Sequence, residues 1–315
     1  MAKKKEEKIE SNGISEDSCS KDPEKEISGF KNVASLIYES EKIEDTRPKI
    51  VSYLNNLIKK SPVSSKYSIL FLYDPNGDIM PYTADRIYNA LPKKEKRNIL
   101  LIIHSSGGRI EPAYLISKCC KEYSDKFVVS VPRKAKSAAT LISLGADEIH
   151  MGIMSELGPI DPQFGGLPAL GLSSAVEYLA GLCKSHPESS DMIAKYLSLT
   201  LDLRTLGYFE RVSESAMQYA QRLLQGKKLP EGQNIYSVAA TFVYTYKDHS
   251  FVIDKDEAKQ FLGETIKTES DEYELGNEIH NFLDNVNLFA DIFKQHTFSI
   301  VGTCDDLIFS KKKES

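Results

Sequence analysis

From Tyr67 onward, short runs of consecutive apolar and β-branched side chains alternate with longer stretches whose apolar residues recur every three or four positions. The runs are YSILFLYD, NILLIIHSSGG, KFVVSVP and the shorter DEIHMG. Unbroken apolar runs predict strands buried on both faces, and the helical spacing in YTADRIYNAL, IEPAYLISKCCKEY and SAATLISLG predicts helices between them. This alternation predicts an α/β core with a parallel sheet over residues 66–170.

The flanks have a different rhythm. Residues 29–65 place Val33, Leu36 and Ile37, then Ile50, Tyr53, Leu54 and Leu57, at helical spacing with Pro48 between the two groups, which predicts a helical lead-in. Residues 171–232 are again periodic at 3.6 and predict a helical arm. Residues 233–300 are expected to complete the core and supply a terminal helix; within them HSFVIDKDEAKQFLG reads as a short strand entering a helix capped by Asp254, with Glu257 completing a capping box. Residues 1–28, rich in Lys, Glu, Ser and Asp, predict a disordered charged tail, and residues 301–315 a frayed one.

Composition narrows the class. An apolar content of 41% and a net charge of -5 describe an ordinary globular chain, and no basic stripe marks a nucleic-acid surface. The 5 cysteines are scattered and lack C-x-x-C spacing, so neither a disulfide framework nor a metal site is expected, and a reducing, cytoplasmic setting fits. No apolar stretch has the length of a signal peptide core or a membrane span.

Ligands of parallel sheets gather at the carboxyl ends of the strands, where three loops here are unusual. HSSGGRIEPAY sets Gly107 and Gly108 at a strand end; adjacent glycines permit close backbone approach and N–H groups aimed at an oxyanion, or simply a tight turn. PRKAKSAAT puts Ser137 at a helix start, where the dipole favours a developing alkoxide, although serines there are commonly N-caps. Ala138, Ala139 and Thr140 leave space around it. SELGPIDPQFGG, with two prolines and three glycines, forms a rigid wall or a structural loop.

Taken together, in this order, the three loops resemble the Clp-protease and crotonase superfamily. PRKAKSAATLISLGADEIHMGIMSELGPIDPQ is similar to the signature of one branch, the serine dehydrogenase proteinase family, related to signal-peptide peptidase A. The resemblance runs from about Tyr67 to Gly263 and is dense between His104 and Gln163. It implies a Clp/crotonase-like spiral of ββα units whose helical arm serves assembly into a homo-oligomer. It also implies a serine peptidase without a cofactor, acting on a peptide or protein through an acyl-enzyme at Ser137, with Gly107, Gly108 and Ala138 as oxyanion donors.

A serine hydroxyl needs a base, and here the chain departs from the Clp pattern. The Clp histidine belongs in SELGPIDPQ, which has none; the nearest titratable group is Asp161. One route is His249, near the Clp family's third triad position, with Asp248 or Asp254 to orient it. Another is a Ser–Lys dyad using Lys134, Lys184 or Lys195; Lys136 adjoins the serine but is expected to point away. A third is a catalytically inactive assembly or binding module. His104, one residue before SSGG, and His150 at the end of the fourth strand either contact a substrate or, as buried strand ends favour, are satisfied core histidines. Acyl-CoA chemistry using Glu156 and Asp161 is a further alternative, against which a serine at the helix start favours hydrolysis.

Overall fold

The computed structural model describes residues 27–161, 163–164, 167–201, 203–246 and 248–312. Of the charged tail expected over residues 1–28, all but Ile27 and Ser28 lies outside the described residues.

Helices α1 (Phe30–Glu39) and α2 (Arg47–Lys60) form the lead-in, with Pro48 in the first turn of α2, where its missing N–H has no partner to lose. Strands β1 (Tyr67–Asp74), β2 (Asn98–Ser105), β3 (Phe127–Val131), β4 (Lys134–Ala135), β5 (Glu148–Met151) and β6 (Glu156–Leu157) follow. Between them lie α3 (Pro81–Ala90), α4 (Ile110–Glu122) and α5 (Ala138–Leu144). β1 pairs parallel with β2 from Tyr67↔Asn98 to Asp74↔Ser105, and β2 with β3, and β3 with β5, also parallel. The wholly apolar runs are therefore strands covered on both faces.

Past a short hairpin, β7 (Gln163–Phe164) and β8 (Leu167–Pro168), come α6 (Ala169–Ser185), α7 (Ser190–Thr200) and α8 (Leu203–Leu224). Only the first part behaves as an arm. α7 buries no residue among those described, whereas Ala216, Met217, Ala220 and Leu224 of α8 enter the core beside α4 and α5. The chain then forms α9 (Ile235–Ala240), α10 (Lys255–Leu262), β9 (Ile266–Lys267) and α11 (Asp271–Lys294). Asp254 caps α10 by accepting from Asp256 and Glu257 N–H, but no capping box closes, because Glu257 turns to accept from Tyr246 Oη at 2.6 Å. The strand expected in HSFVI is a single bridge, Leu157↔Ile253.

The sheet order is β11-β10-β1-β2-β3-β5-β9, where β10 (His296–Gly302) and β11 (Leu307–Lys311) are both antiparallel additions. The frayed tail expected over residues 301–315 is thus corrected as far as Lys311: Phe298, Ile300, Val301, Cys304 and Leu307 are buried. Sequence reading missed these strands because polar residues interrupt the first half of β10 and only Leu307 of β11 is buried, which leaves a short, diluted apolar signal. One core face, under α3, α4, α5 and α8, gathers Leu70, Leu72, Leu101 and Ile103; the other, under α1, α2 and α11, gathers Phe71, Tyr73, Leu100 and Ile102.

Truncation after Gly302 removes β11, its Arg47–Leu307 carbonyl tie at 2.9 Å and the buried Cys304 and Leu307 side chains. Burial of this size stabilises by about 3–5 kcal/mol, so melting should fall by about 5–8 °C in calorimetry. An unchanged melting temperature would show that the final strand contributes nothing.

Candidate active site

The site grows from a side ladder at the carboxyl edge of the sheet. β2 pairs with β3 as far as Ile102↔Ser130, and its last residue then pairs with β4 instead, Ser105↔Ala135. β4 pairs with β6 at Lys134↔Glu156 and Ala135↔Leu157, and Leu157 exchanges two backbone hydrogen bonds of 2.9 and 3.0 Å with Ile253. Each member runs directly into one of the loops singled out by sequence: β2 into Ser106–Arg109, β4 into Ser137, β6 into Asp161, and Ile253 follows His249.

Ser137 immediately precedes α5, with φ 51 and ψ -118, a conformation essentially reserved for glycine. Its hydroxyl caps no helix N–H, so the N-cap reading is ruled out. The side chain is largely buried, 8% exposed, at the positive end of a helix whose seven residues are all buried. Thr140, expected only to leave space, does more. Its Oγ1 lies 2.6 Å from Ala135 O and 2.8 Å from Gly158 O and accepts from Gly158 N–H at 3.0 Å, tying β4, α5 and the loop after β6 together.

Gly107 and Gly108 have φ of 110 and 143. A Cβ on Gly107 would stand 2.8 Å from Ser137 Cβ and 3.2 Å from Ala138 N, which shows how closely this loop presses on the serine. A Cβ on Gly108 would stand 2.3 Å from Ile79 N. Ile79 N–H donates to Gly107 O and Arg109 N–H to Ile79 O, both at 2.8 Å. In such a strand-like segment alternate residues bond to one side, so the Gly108 N–H faces away from Ile79. Gly107 N–H is committed to Ser105 Oγ at 3.1 Å. Of the three donors expected from sequence, Gly108 and Ala138 therefore remain available; the latter's N–H opens α5 and has no intrahelical acceptor.

Ser137, Gly108, Asp161 and His249 line one cleft of about 910 Å³, together with Lys134, Lys136, Glu156 and Tyr208. His249 Nδ1 is 3.9 Å from Asp161 Oδ2, whose side chain is fully buried. Burial holds the imidazole below its ordinary pKa, the Lys136 ammonium lowers it further, and the Asp248 carboxylate partly offsets both. At 3.9 Å Asp161 is short of a hydrogen bond and does not reverse that direction. Asp248 is exposed and accepts from Ser250 N–H at 2.9 Å, closing a local turn, and Asp254 is the α10 cap. Neither holds the imidazole, so the carboxylate facing His249 is Asp161, expected from sequence as a titratable neighbour or an acyl-CoA residue and not as its partner. The signal for it was the absence of histidine from SELGPIDPQ.

The lysines part company. Lys136 pairs with Glu156 at 2.9 Å and donates to Phe251 O at 2.9 Å and Ser250 O at 3.3 Å, away from the serine as expected. Lys134 donates to Ser106 Oγ at 3.0 Å. Lys184 and Lys195 are exposed on α6 and α7, outside the cleft. His104 is buried against Tyr73 and His280, on the opposite face of the sheet from α5; burial lowers its pKa to about 3. Its Nδ1 has no hydrogen-bond partner among the described residues, so it is a packed histidine but not a satisfied one. His150 is packed and satisfied, with Ser270 Oγ at 2.6 Å from Nδ1. Among the described residues no group of side chains is arranged to hold a metal ion.

A parallel sheet with a splayed carboxyl edge and a serine at a buried helix start defines an α/β, ClpP-like class of protein. Residues 81–184 match the family described as ClpP-like SDH-type serine proteinase. Two uncharacterized proteins of Methanocaldococcus jannaschii are related: MJ0137, 44% identical over 92 residues, and MJ1495, 41% identical over 81. The matched segments cover 29% and 26% of this chain, and only 32% and 28% of those relatives' lengths. Among solved structures, a variant of the 1510-N membrane-bound stomatin-specific protease is 15% identical, with a TM-score of 0.41, covering 70% of this chain and 83% of its own. A second variant, in complex with a substrate peptide, is 14% identical with the same TM-score of 0.41, over 76% and 90%.

The strain at Ser137 generates a stability test. If its conformation is held by the surrounding packing, Ser137→Gly should stabilise the chain by about 1–2 kcal/mol in urea unfolding, since glycine adopts this φ without a Cβ penalty. A loss of about 1 kcal/mol would instead restore the capping role.

Proposed function

We propose that this chain is a serine peptidase in which Ser137 forms an acyl-enzyme with a peptide or protein substrate. The observation that supports it most is the strained Ser137 backbone, which withdraws the hydroxyl from capping and seats it beside Gly107 at the opening of α5. Ser137 Oγ attacks the peptide carbonyl carbon while His249 takes its proton. Gly108 and Ala138 N–H donate to the oxyanion as the carbonyl becomes tetrahedral. His249 then gives the proton to the departing amine, and water, activated by the same imidazole, releases the acyl group. Asp161 faces the imidazolium formed in each half-reaction, at a distance that tightens to a hydrogen bond when charge develops.

The acyl-CoA alternative is disfavoured because Glu156 is already occupied by Lys136. A homo-oligomer built through the arm belongs to the same proposal: Tyr178, Met192, Tyr196 and Leu199 are exposed on α6 and α7, more apolar surface than two surface helices need. A cytoplasmic setting remains part of the reading, supported by free cysteines at 119, 120, 183 and 304. Among the described residues no helix is long and apolar enough to cross a membrane.

A fluorophosphonate probe should label the folded wild type and not Ser137→Ala. Folded protein that never labels would favour the inactive binding module. The pH dependence identifies the base. A protonated imidazole accepts no proton, so labelling should be lost as pH falls through the His249 pKa, which burial and Lys136 place below the ordinary 6.5. Labelling should therefore be flat from neutrality upward and half-lost on the acid side of that value, and His249→Gln should lower it about a hundredfold or more. A midpoint near 8 or above, untouched by His249→Gln, would assign the base to a lysine.

A further inference from the structure

Resting on the peptidase reading of the same cleft, the geometry points to Lys134 as a substrate-binding residue that selects a carboxylate on the peptide close to the scissile bond. The other basic side chains of the cleft each face a carboxylate. Arg109 meets Glu111 at 3.5 Å, Lys136 meets Glu156 at 2.9 Å, and His249 faces Asp161 at 3.9 Å. Lys134 is different: among the described residues its ammonium meets no carboxylate and is held by a neutral hydroxyl, Ser106 Oγ, at 3.0 Å. An ammonium has three donors and this hydrogen bond uses one, so the positive charge stands in the cleft with donors to spare.

Its position makes the charge useful. Ser106 and Lys134 both line the cleft with Ser137, and Ser106 is two residues before Gly108, about 7 Å along an extended chain. A substrate whose carbonyl oxygen lies at Gly108 therefore has a side chain or a terminal carboxyl within reach of Lys134. The tether to Ser106 also restricts a flexible side chain before substrate arrives, which reduces the ordering cost of binding. Asp78, one residue before the Ile79 bridge, is exposed on the same cleft and meets no cation among the described residues. It disfavours a second carboxylate on its own side, so the selectivity belongs to one substrate position rather than to the whole peptide.

The test uses Ser137→Ala protein, which binds without turnover, and fluorescent octapeptides in which one Gln at each position in turn is replaced by Glu. Anisotropy at 50 mM salt should find one position where Glu binds about tenfold more tightly than Gln, the scale of a charge-assisted hydrogen bond. Adding Lys134→Met should bring that ratio to about one, and Lys134→Glu should invert it. No position favouring Glu, or a preference that survives Lys134→Met, overturns the assignment. Fluorophosphonate labelling of the protein with Ser137 intact is read alongside. Labelling without acid selectivity sinks only the role of Lys134, whereas acid selectivity lost with Lys134→Met in a protein that never labels keeps the subsite and sinks the peptidase.

Discussion

The site depends on one change of partner: Ser105 leaves the register of β3 and pairs with Ala135. Had β2 continued beside β3 to its end, the sheet edge would be closed and the glycine loop would have no neighbour to press against. Because it switches, β4 is drawn across the edge, β6 is drawn onto β4, and Ile253 onto β6. Three short pairings thus bring Gly108, Ser137, Asp161 and His249, spread over more than a hundred residues, to a single cleft. Two-residue strands are weak by themselves, and Thr140 compensates. Its one buried hydroxyl satisfies groups on both β4 and the loop after β6 that would otherwise be costly to bury.

Lys136 joins the mechanical and electrostatic parts of the site. Its bonds to Glu156 and to the carbonyls of Ser250 and Phe251 fasten the His249 loop to β6. The same ammonium helps keep His249 neutral, since a nearby positive charge disfavours imidazolium. In the proposed mechanism a neutral His249 accepts the proton, and Asp161 then faces the charge that results. The opposing influences act at different stages, with Lys136 setting the resting state and Asp161 the charged one.

Much of this was legible in the chain. YSILFLYD is β1 to the residue and NILLIIHSSGG contains β2, which ends at Ser105, because strands buried on both faces leave an unbroken apolar run. The two glycines stood out because close backbone approach demands them, and Ser137 because it stands at a helix start among small residues. The partner of His249 did not stand out. Asp161 lies 88 positions away, brought near by β6 and the Ile253 bridge, and two-residue strands have no periodicity to read. Asp248 was the natural choice from proximity along the chain, yet a short side chain beside a turn hydrogen-bonds its own backbone first. β10 and β11 were missed because polar residues dilute the apolar pattern of both, and β11, the sheet edge, buries only Leu307.

The packing around Ser137 explains why so much of the neighbouring sequence is small. α5 is buried over its whole length, and Gly107 approaches the serine so closely that one added carbon would overlap Ser137 Cβ. A larger residue at 107 would push the serine toward an ordinary backbone conformation, from which its hydroxyl could cap the helix and leave the cleft. The glycine therefore does not merely permit a turn; its missing side chain leaves room for the strained serine. The strain, in turn, persists because α5 cannot shift: Ser117 on α4 donates to Ile142 O at 2.9 Å, and Leu224 of α8 packs in the same core. What holds the Ser137 hydroxyl out of its cap is thus the core behind it, which ties the geometry of the cleft to the burial of α4 and α8.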